Sequence, residues 1–137
     1  MNQIAVVYWS GTGNTEAMAN LIADGAKAAG AAVDIFQASE FDAAKIAGYE
    51  ALAFGCPAMG DEELEEDEFL PMWESVKDSL DGKRVALFGS YGWGDGDWLQ
   101  NWKDGAPCGI FDILMCNEAP DDEGETACRD LGTRLAE

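Results

Sequence analysis

The stretch Ser10-Gly11-Thr12-Gly13-Asn14-Thr15, within YWSGTGNTEAMA, sets four hydroxyl or amide side chains among two glycines. Glycines let a backbone turn so that several N–H groups point inward. A helix starting near Asn14 adds free N–H groups and the positive end of its dipole. Ser10, Thr12, Asn14 and Thr15 add side-chain donors. Such a set holds a phosphate with no formal cation, and four donors with two glycines exceed what a plain helix cap needs. Familiar phosphate loops do not fit. The lysine of GxxxxGK[ST] is missing, and the third glycine of GxGxxG is replaced by Glu16. The cysteine and closing arginine of a phosphatase loop are absent as well.

Three further segments carry flat, soft or acidic groups. In GCPAMGDEELEEDEF, Ala58, Met59 and Gly60 follow an apolar run. Gly60 has access to backbone angles closed to other residues, and Met59 is a polarizable side chain suited to an aromatic ring. The acids that follow, from Asp61 to Glu68, read mostly as a solvated loop leading into a helix start, where carboxylates are favourable. Glu62 is the exception if a ring with an N–H lies beside it. In GSYGWGDGDW, glycines 89, 92, 94 and 96 surround Trp93. Trp93 either packs on the adjacent helix or serves as a stacking plate. Asn117 and Glu118, after the last apolar run, are placed to reach a ring edge. One loop suits phosphate, two carry flat or soft residues, and no residue set suits acid–base chemistry. A phosphorylated planar cofactor satisfies all of this, and FMN is the simplest.

The elements that must position these loops follow from patterning. Apolar runs at 4–8, 32–36, 51–55, 85–89 and 110–116 read as short strands. The first, third and fourth are apolar enough to be buried on both faces. Between them, Met18, Leu21, Ile22 and Gly25 share a helical face. So do Phe69, Met72, Trp73, Val76 and Leu80, then Trp98, Leu99 and Trp102, then Cys128, Leu131 and Leu135. Residues 41–46 suggest a short helix. Strand–helix alternation predicts a parallel sheet covered by helices on both sides. Ligands in such sheets sit beyond the carboxyl ends of the strands, where strand order reverses.

Composition narrows the function. The 137 residues suffice for one domain, 1–137, with a core. Eight basic against 27 acidic residues give a net charge of −19, which argues against nucleic acid and anionic membranes. That charge suits either a basic protein partner or solubility alone. No apolar run reaches the roughly 20 residues of a membrane helix, and no secretory signal is visible, so the expected location is the cytoplasm. Histidine is absent, which removes Ser-His and Cys-His catalysis and His-based zinc sites. Cys56, Cys108, Cys116 and Cys128 form no CxxC pair and read as structural, Cys56 as a core residue at a strand end.

YWSGTGNT, AMGDEELEE and ALFGSYGWGDG together closely resemble the short-chain, clostridial-type flavodoxins of anaerobic bacteria. The likeness runs over most of the chain. It implies a flavodoxin-like three-layer α/β/α sandwich, with a five-stranded parallel sheet in order 2-1-3-4-5. It also implies a monomer with one non-covalent FMN that passes single electrons between redox partners, often in place of ferredoxin. Ser10, Gly11, Thr12, Gly13, Asn14 and Thr15 would hold the phosphate, helped by Ser90. Met59 and Trp93 would flank the flavin, and Glu62 would accept from its N3–H. The peptide around Gly60 would turn on reduction, so that the Gly60 carbonyl accepts from flavin N5–H. Trp9, Ala58, Asp61, Tyr91, Gly92, Gly94, Asn117 and Glu118 would line the rest. Two features depart from the family pattern. Pro57 offers neither N–H nor hydroxyl where relatives often have serine. The segment NWKDGAPCGIFDILMCNEAP is several residues short, which implies a shortened helix before the last strand and a strand start delayed by Pro107.

Reduced FMN tends to lose its N1 proton, and an anion among carboxylates and an uncompensated phosphate is costly. The expected activity is therefore a one-electron shuttle working mainly between semiquinone and hydroquinone, docking through an acidic face to basic faces of ferredoxin-type partners. An NAD(P)H-dependent flavin reductase is the enzymatic alternative. It would need room beside the flavin that Trp93 blocks. A phosphoacceptor module is the third, but Tyr8-Trp9-Ser10, Cys56-Pro57 and Asn117-Glu118 lack its acids and lysine.

Overall fold

β-Branched and small apolar residues form strand β1, Gln3–Tyr8, whose residues from Ile4 onward are all buried. The computed structural model describes residues 3–11, 13–59, 64–92 and 96–137. Thereafter strands and helices alternate: α1 Asn14–Ala28, β2 Ala32–Gln37, β3 Ala51–Gly55, α2 Phe69–Val76, β4 Arg84–Tyr91, α3 Asp97–Gly105, β5 Ile110–Asn117 and α4 Asp122–Leu135. The five strands form one parallel sheet in order β2-β1-β3-β4-β5. Its order reverses beside β1, so the loops after β1 and β3 diverge and leave a crevice at the carboxyl ends.

Alternation along each central strand fills two cores. Ala5, Val7, Leu52, Phe54, Val85 and Leu87 meet α2 and α3 through Phe69, Met72, Trp73, Trp98, Leu99 and Trp102. Ile4, Val6, Ala53, Ala86 and Phe88 meet α1 and α4 through Met18, Ile22, Cys128, Leu131 and Leu135. The first core is aromatic: Trp102 stands edge-on to both Phe69 and Trp73, with ring centroids 5.3 and 5.4 Å away. Such perpendicular contacts align ring edges with ring faces.

The expected five strands and their order are present, and so are the four apolar helical faces. Boundaries differ most in three places. Residues 41–46 do not form one helix. Phe41 is extended, and 3-10 turns occupy Ala38–Glu40 and Ala43–Gly48. Packing is the reason, because an extended Phe41 reaches Phe36 and Phe54, with centroids at 5.2 and 6.1 Å. Leu80 lies past α2, whose last turn tightens to a 3-10 turn at Lys77–Ser79. β4 runs two residues beyond Gly89, so Ser90 and Tyr91 belong to the strand and pair with Cys116 and Asn117. β5 starts at Ile110, as the Pro107 delay implies, after an α3 of nine residues.

α1 and α4 approach so closely that glycine is required at the crossing. A Cβ on Gly132 would lie 2.0 Å from the Ile22 carbonyl oxygen, and one on Gly25 would lie 2.0 Å from that of Arg129. Alanine at either site must push the helices apart. We therefore expect Gly25→Ala and Gly132→Ala each to destabilise the fold by about 1–3 kcal/mol, despite the ~1 kcal/mol that alanine contributes to helix propensity. Urea unfolding of the two variants checks this, with a lowered midpoint as the expected result.

Candidate functional site

The strand ends are held in register past the sheet proper. Trp9 N donates to Gly55 O at 3.0 Å, and Ala58 N donates to Ser90 O at 3.0 Å. Glu118 N donates to Tyr91 O at 2.7 Å, joined by Asn117 Nδ2 at 3.3 Å. Glu118 itself takes a left-handed conformation, φ 56°, which turns the chain sharply off β5. These bonds gather the loops around one cleft of ≈ 340 Å³ lined by Trp9, Gly11, Asn14, Pro57, Ala58, Met59, Ser90, Tyr91, Gly92 and Glu118. That volume is in the range of small-ligand pockets, and the lining combines apolar walls with a polar floor.

The loop between β1 and α1 forms the polar end. Gly13 sits at φ 95°, in the left-handed region, and precedes the first helical residue. Ser10 Oγ accepts from Gly13 N at 3.0 Å and from Glu16 N at 3.3 Å. Ser10 therefore closes the loop on itself and caps the helix, in addition to any contact it makes outward. A helix start leaves its first N–H groups without intrahelical acceptors. With Glu16 N taken by Ser10, the N–H groups of Asn14 and Thr15 have no acceptor among the described residues. Thr15 is 1% exposed and Ser90 4%. Their hydroxyls lie 3.3 Å apart, and Ser90 N donates to Thr15 Oγ1 at 3.4 Å. The end of β4 thus meets the helix start beneath the loop. Trp9 covers the other side. A Cβ on Gly11 would stand 3.1 Å from its ring, and its Nε1 donates to Glu68 Oε1 at 3.2 Å.

Of the residues singled out from the sequence, Trp9, Gly11, Asn14, Ala58, Met59, Ser90, Tyr91, Gly92 and Glu118 meet at this cleft. Ser10, Gly13 and Thr15 adjoin it through the bonds just described. Asn117 is exposed and bonds to the Tyr91 carbonyl rather than lining the cleft. Thr12, Gly60, Asp61, Glu62, Trp93 and Gly94 lie outside the described residues. Pro57, which offers neither N–H nor hydroxyl, forms part of the wall.

The acidic run is not uniformly solvated. Glu65 is 6% exposed, and its carboxylate accepts from Asp67 N, Glu68 N and Phe69 N, each at 2.8 Å. Burial alone would raise this carboxyl, but the N–H groups of Phe69, Glu68 and Asp67 together hold it below the usual carboxylate range. Sequence reasoning treated Glu65 as one of many surface acids. The available signal was its position four residues before Phe69, at the start of an apolar helical face. The Glu68 contact to Trp9 was also missed, and nothing local to either residue announces it. On the far side of Trp9, a polar recess of ≈ 250 Å³ includes Tyr8, Glu16, Gln37 and Glu68. There the Tyr8 hydroxyl donates to Glu16 Oε2 at 2.8 Å, and burial followed by the Glu16 carboxylate raises its pKa.

No lysine or arginine is among the described residues lining either recess. The donor set fits a phosphate held by backbone and hydroxyl groups, and the apolar walls fit a flat ring. Among the described residues, no group of histidine, cysteine or acidic side chains could hold a metal ion. None of the helices is long and apolar enough to cross a membrane, again among those residues.

Comparison with known proteins places these features in a family. The model of the Flavodoxin family matches residues 6–104. A flavodoxin of Clostridium beijerinckii is 42% identical over 134 residues, covering 96% of this chain and 97% of that protein. A flavodoxin of Megasphaera elsdenii is 43% identical over 136 residues, covering 97% and 98%. The solution structure of two-electron reduced Megasphaera elsdenii flavodoxin matches with a TM-score of 0.89 at 43% identity, over 97% of this chain and 98% of that one.

Cys56, at the end of β3, is fully buried, and burial pushes its thiol up to about 12 from 9.0. A thiol raised in the folded state contributes stability that is complete below the unfolded-state pKa and is lost as pH rises toward the folded one. Stability should therefore decline between about pH 9 and pH 12, by at most ~1.4 kcal/mol per pH unit from this group. Cys56→Ala should flatten that decline, whatever its effect at pH 7. Urea titrations at stepped pH values compare the two slopes.

Proposed function

Because the chain belongs to the flavodoxin family, whose members are FMN-binding electron-transfer proteins rather than enzymes, we propose that it is a low-potential one-electron carrier. It cycles mainly between the semiquinone and hydroquinone states of FMN. The observation that carries this reading is a cleft at the strand ends that offers neutral donors, apolar walls and carboxylates, with no cation among its described lining residues.

FMN supplies the electron-accepting ring, and the protein's residues set where charge is tolerated. Ser10, Gly11, Thr12, Gly13, Asn14 and Thr15 hold the phosphate, and Ser90 supports Thr15 from below. Trp9, Ala58, Met59, Tyr91, Gly92, Trp93 and Gly94 border the ring. Gly60, Asp61 and Glu62 would meet its polar edge, and Glu118 would close the far side, where Asn117 holds the Tyr91 carbonyl. The phosphate would keep its negative charge, since no lysine or arginine is among the described residues lining the cleft. Glu68 and Glu118 add to the same field. Each unit charge at 4 Å opposes a further anion by about 1 kcal/mol in water and by more in a drier site. A last electron added to bound FMN would therefore be held weakly and given up readily. Thr15 and Ser90, both buried, keep the helix start fixed while this happens, so little reorganisation accompanies transfer.

The net charge of −19 supports docking to basic faces on redox partners, since opposite charge raises encounter rates. The protein acts as a monomer at such faces. The expected result of a redox titration of the FMN-loaded protein is two separated one-electron steps with a blue neutral radical between them, and negligible NADPH consumption by the pure protein. A single two-electron step, or steady NADPH turnover, contradicts the proposal.

A further inference from the structure

Glu65 is the buried acid among the described members of the run between Asp61 and Glu68. An ionised carboxylate survives burial only when its lone pairs are fully engaged. Here Oε1 takes Glu68 N and Phe69 N while Oε2 takes Asp67 N. The Glu65 carbonyl also accepts from Leu70 N at 2.9 Å. The start of α2 is thus gathered onto one side chain.

The other end of the same loop is fixed as firmly. Cys56 N donates to Phe88 O at 3.1 Å, and Cys56 O accepts from Trp98 Nε1 at 3.2 Å. One bond joins the two ends directly, since Glu65 N donates to Cys56 Sγ at 3.4 Å. Cys56 and Glu65 therefore meet at one point, tied to β4 through Phe88 O and to α3 through Trp98. Pro57, Ala58 and Met59, which wall the cleft, follow Cys56 directly.

We infer that Glu65 and Cys56 are positioning residues, which tie the chain together beside the cleft so that the wall formed by Pro57, Ala58 and Met59 keeps one geometry. The inference rests on the reading of the cleft as an FMN site. Opening the clamp would leave the Ala58 N to Ser90 O bond as the remaining backbone tie on the cleft wall among the described residues. Loop entropy changes little over a few residues. The larger effect is on the fraction of loop conformations able to receive the ring, which scales apparent affinity directly. The preference of the site for one oxidation state of FMN over another then changes too, and this is what separates positioning from simple loss of charge.

The test uses the full chain with Glu65→Ala, Glu65→Gln, Cys56→Ala and, as a charge control at an exposed neighbour, Glu66→Gln. Three measurements apply: amide exchange of the apoprotein, FMN affinity by tryptophan quenching, and the two one-electron potentials. In Glu65→Ala, protection at Asp67, Glu68 and Phe69 should fall, FMN should bind at least tenfold more weakly, and the spacing of the potentials should change by a tenfold affinity ratio, 59 mV for one electron. Glu65→Gln should be intermediate, because its amide oxygen serves two of the three N–H groups. Cys56→Ala should shift the same quantities in the same direction, and Glu66→Gln should leave the spacing within threefold. If Glu65→Ala does not fold, Glu65→Gln and Cys56→Ala decide. Equal effects in Glu65 and Glu66 variants, or unchanged amide protection, overturn the clamp. Failure of the unmodified protein to bind FMN overturns the cleft reading itself, and with it the clamp.

Discussion

Holding an anion with neutral donors alone is the constraint around which the proposed site is arranged. Backbone N–H groups at a helix start and hydroxyls such as Thr15 and Ser90 are short-range devices that need exact placement to compensate for the missing cation. That requirement explains why the β1–α1 loop is braced from three sides. Ser10 closes it from within, Ser90 meets Thr15 from below, and Trp9 packs across Gly11. Two of the cations have structural roles away from the cleft. Arg84 Nη1 donates to the Arg134, Leu135 and Glu137 carbonyls at 3.1 Å each and so caps α4. Lys83 Nζ donates to Tyr49 O at 2.7 Å. Both stand at the start of β4, the opposite end of the sheet from the cleft.

Rigidity reaches the cleft through the two cores. β3 and β4 carry buried residues on both faces, so neither strand can shift without disturbing an aromatic layer and an aliphatic one. Trp98 illustrates the coupling. Its ring lies in the aromatic core while its Nε1 donates to Cys56 O, where the third loop begins. A side chain that packs at one end and hydrogen-bonds at the other transmits core order to a loop. The close α1–α4 crossing at Gly25 and Gly132 does the same for the helix that starts at the phosphate loop.

Much of this was legible from residues alone. The buried strands read as unbroken apolar runs, and the four helical faces recur at helical spacing, because burial on a regular element leaves a periodic trace. The loops near Ser10, Met59 and Ser90 were legible because glycine, hydroxyl and soft side chains are unusual together. Other features leave no such trace. Phe41 is extended because three aromatic rings compete for one space, a matter of tertiary packing that local spacing does not encode. Ser90 and Tyr91 belong to β4 because β5 pairs with them, and that partner lies some 26 positions away. Glu65 was hidden by its neighbours. In a run of acids, composition cannot tell which carboxylate turns inward to gather a helix start.

The central claim, an anion gripped without a cation in a strongly acidic protein, is tested most directly by salt dependence. Apoprotein affinities for FMN and for riboflavin would be measured from about 0.01 M to 1 M ionic strength, over which the screening length falls from about 30 to 3 Å. The account predicts that FMN binds more tightly as salt rises, because screening relieves repulsion between its phosphate and the surrounding acids, while riboflavin changes little. FMN affinity that falls steeply with salt would reveal a cationic grip and contradict it.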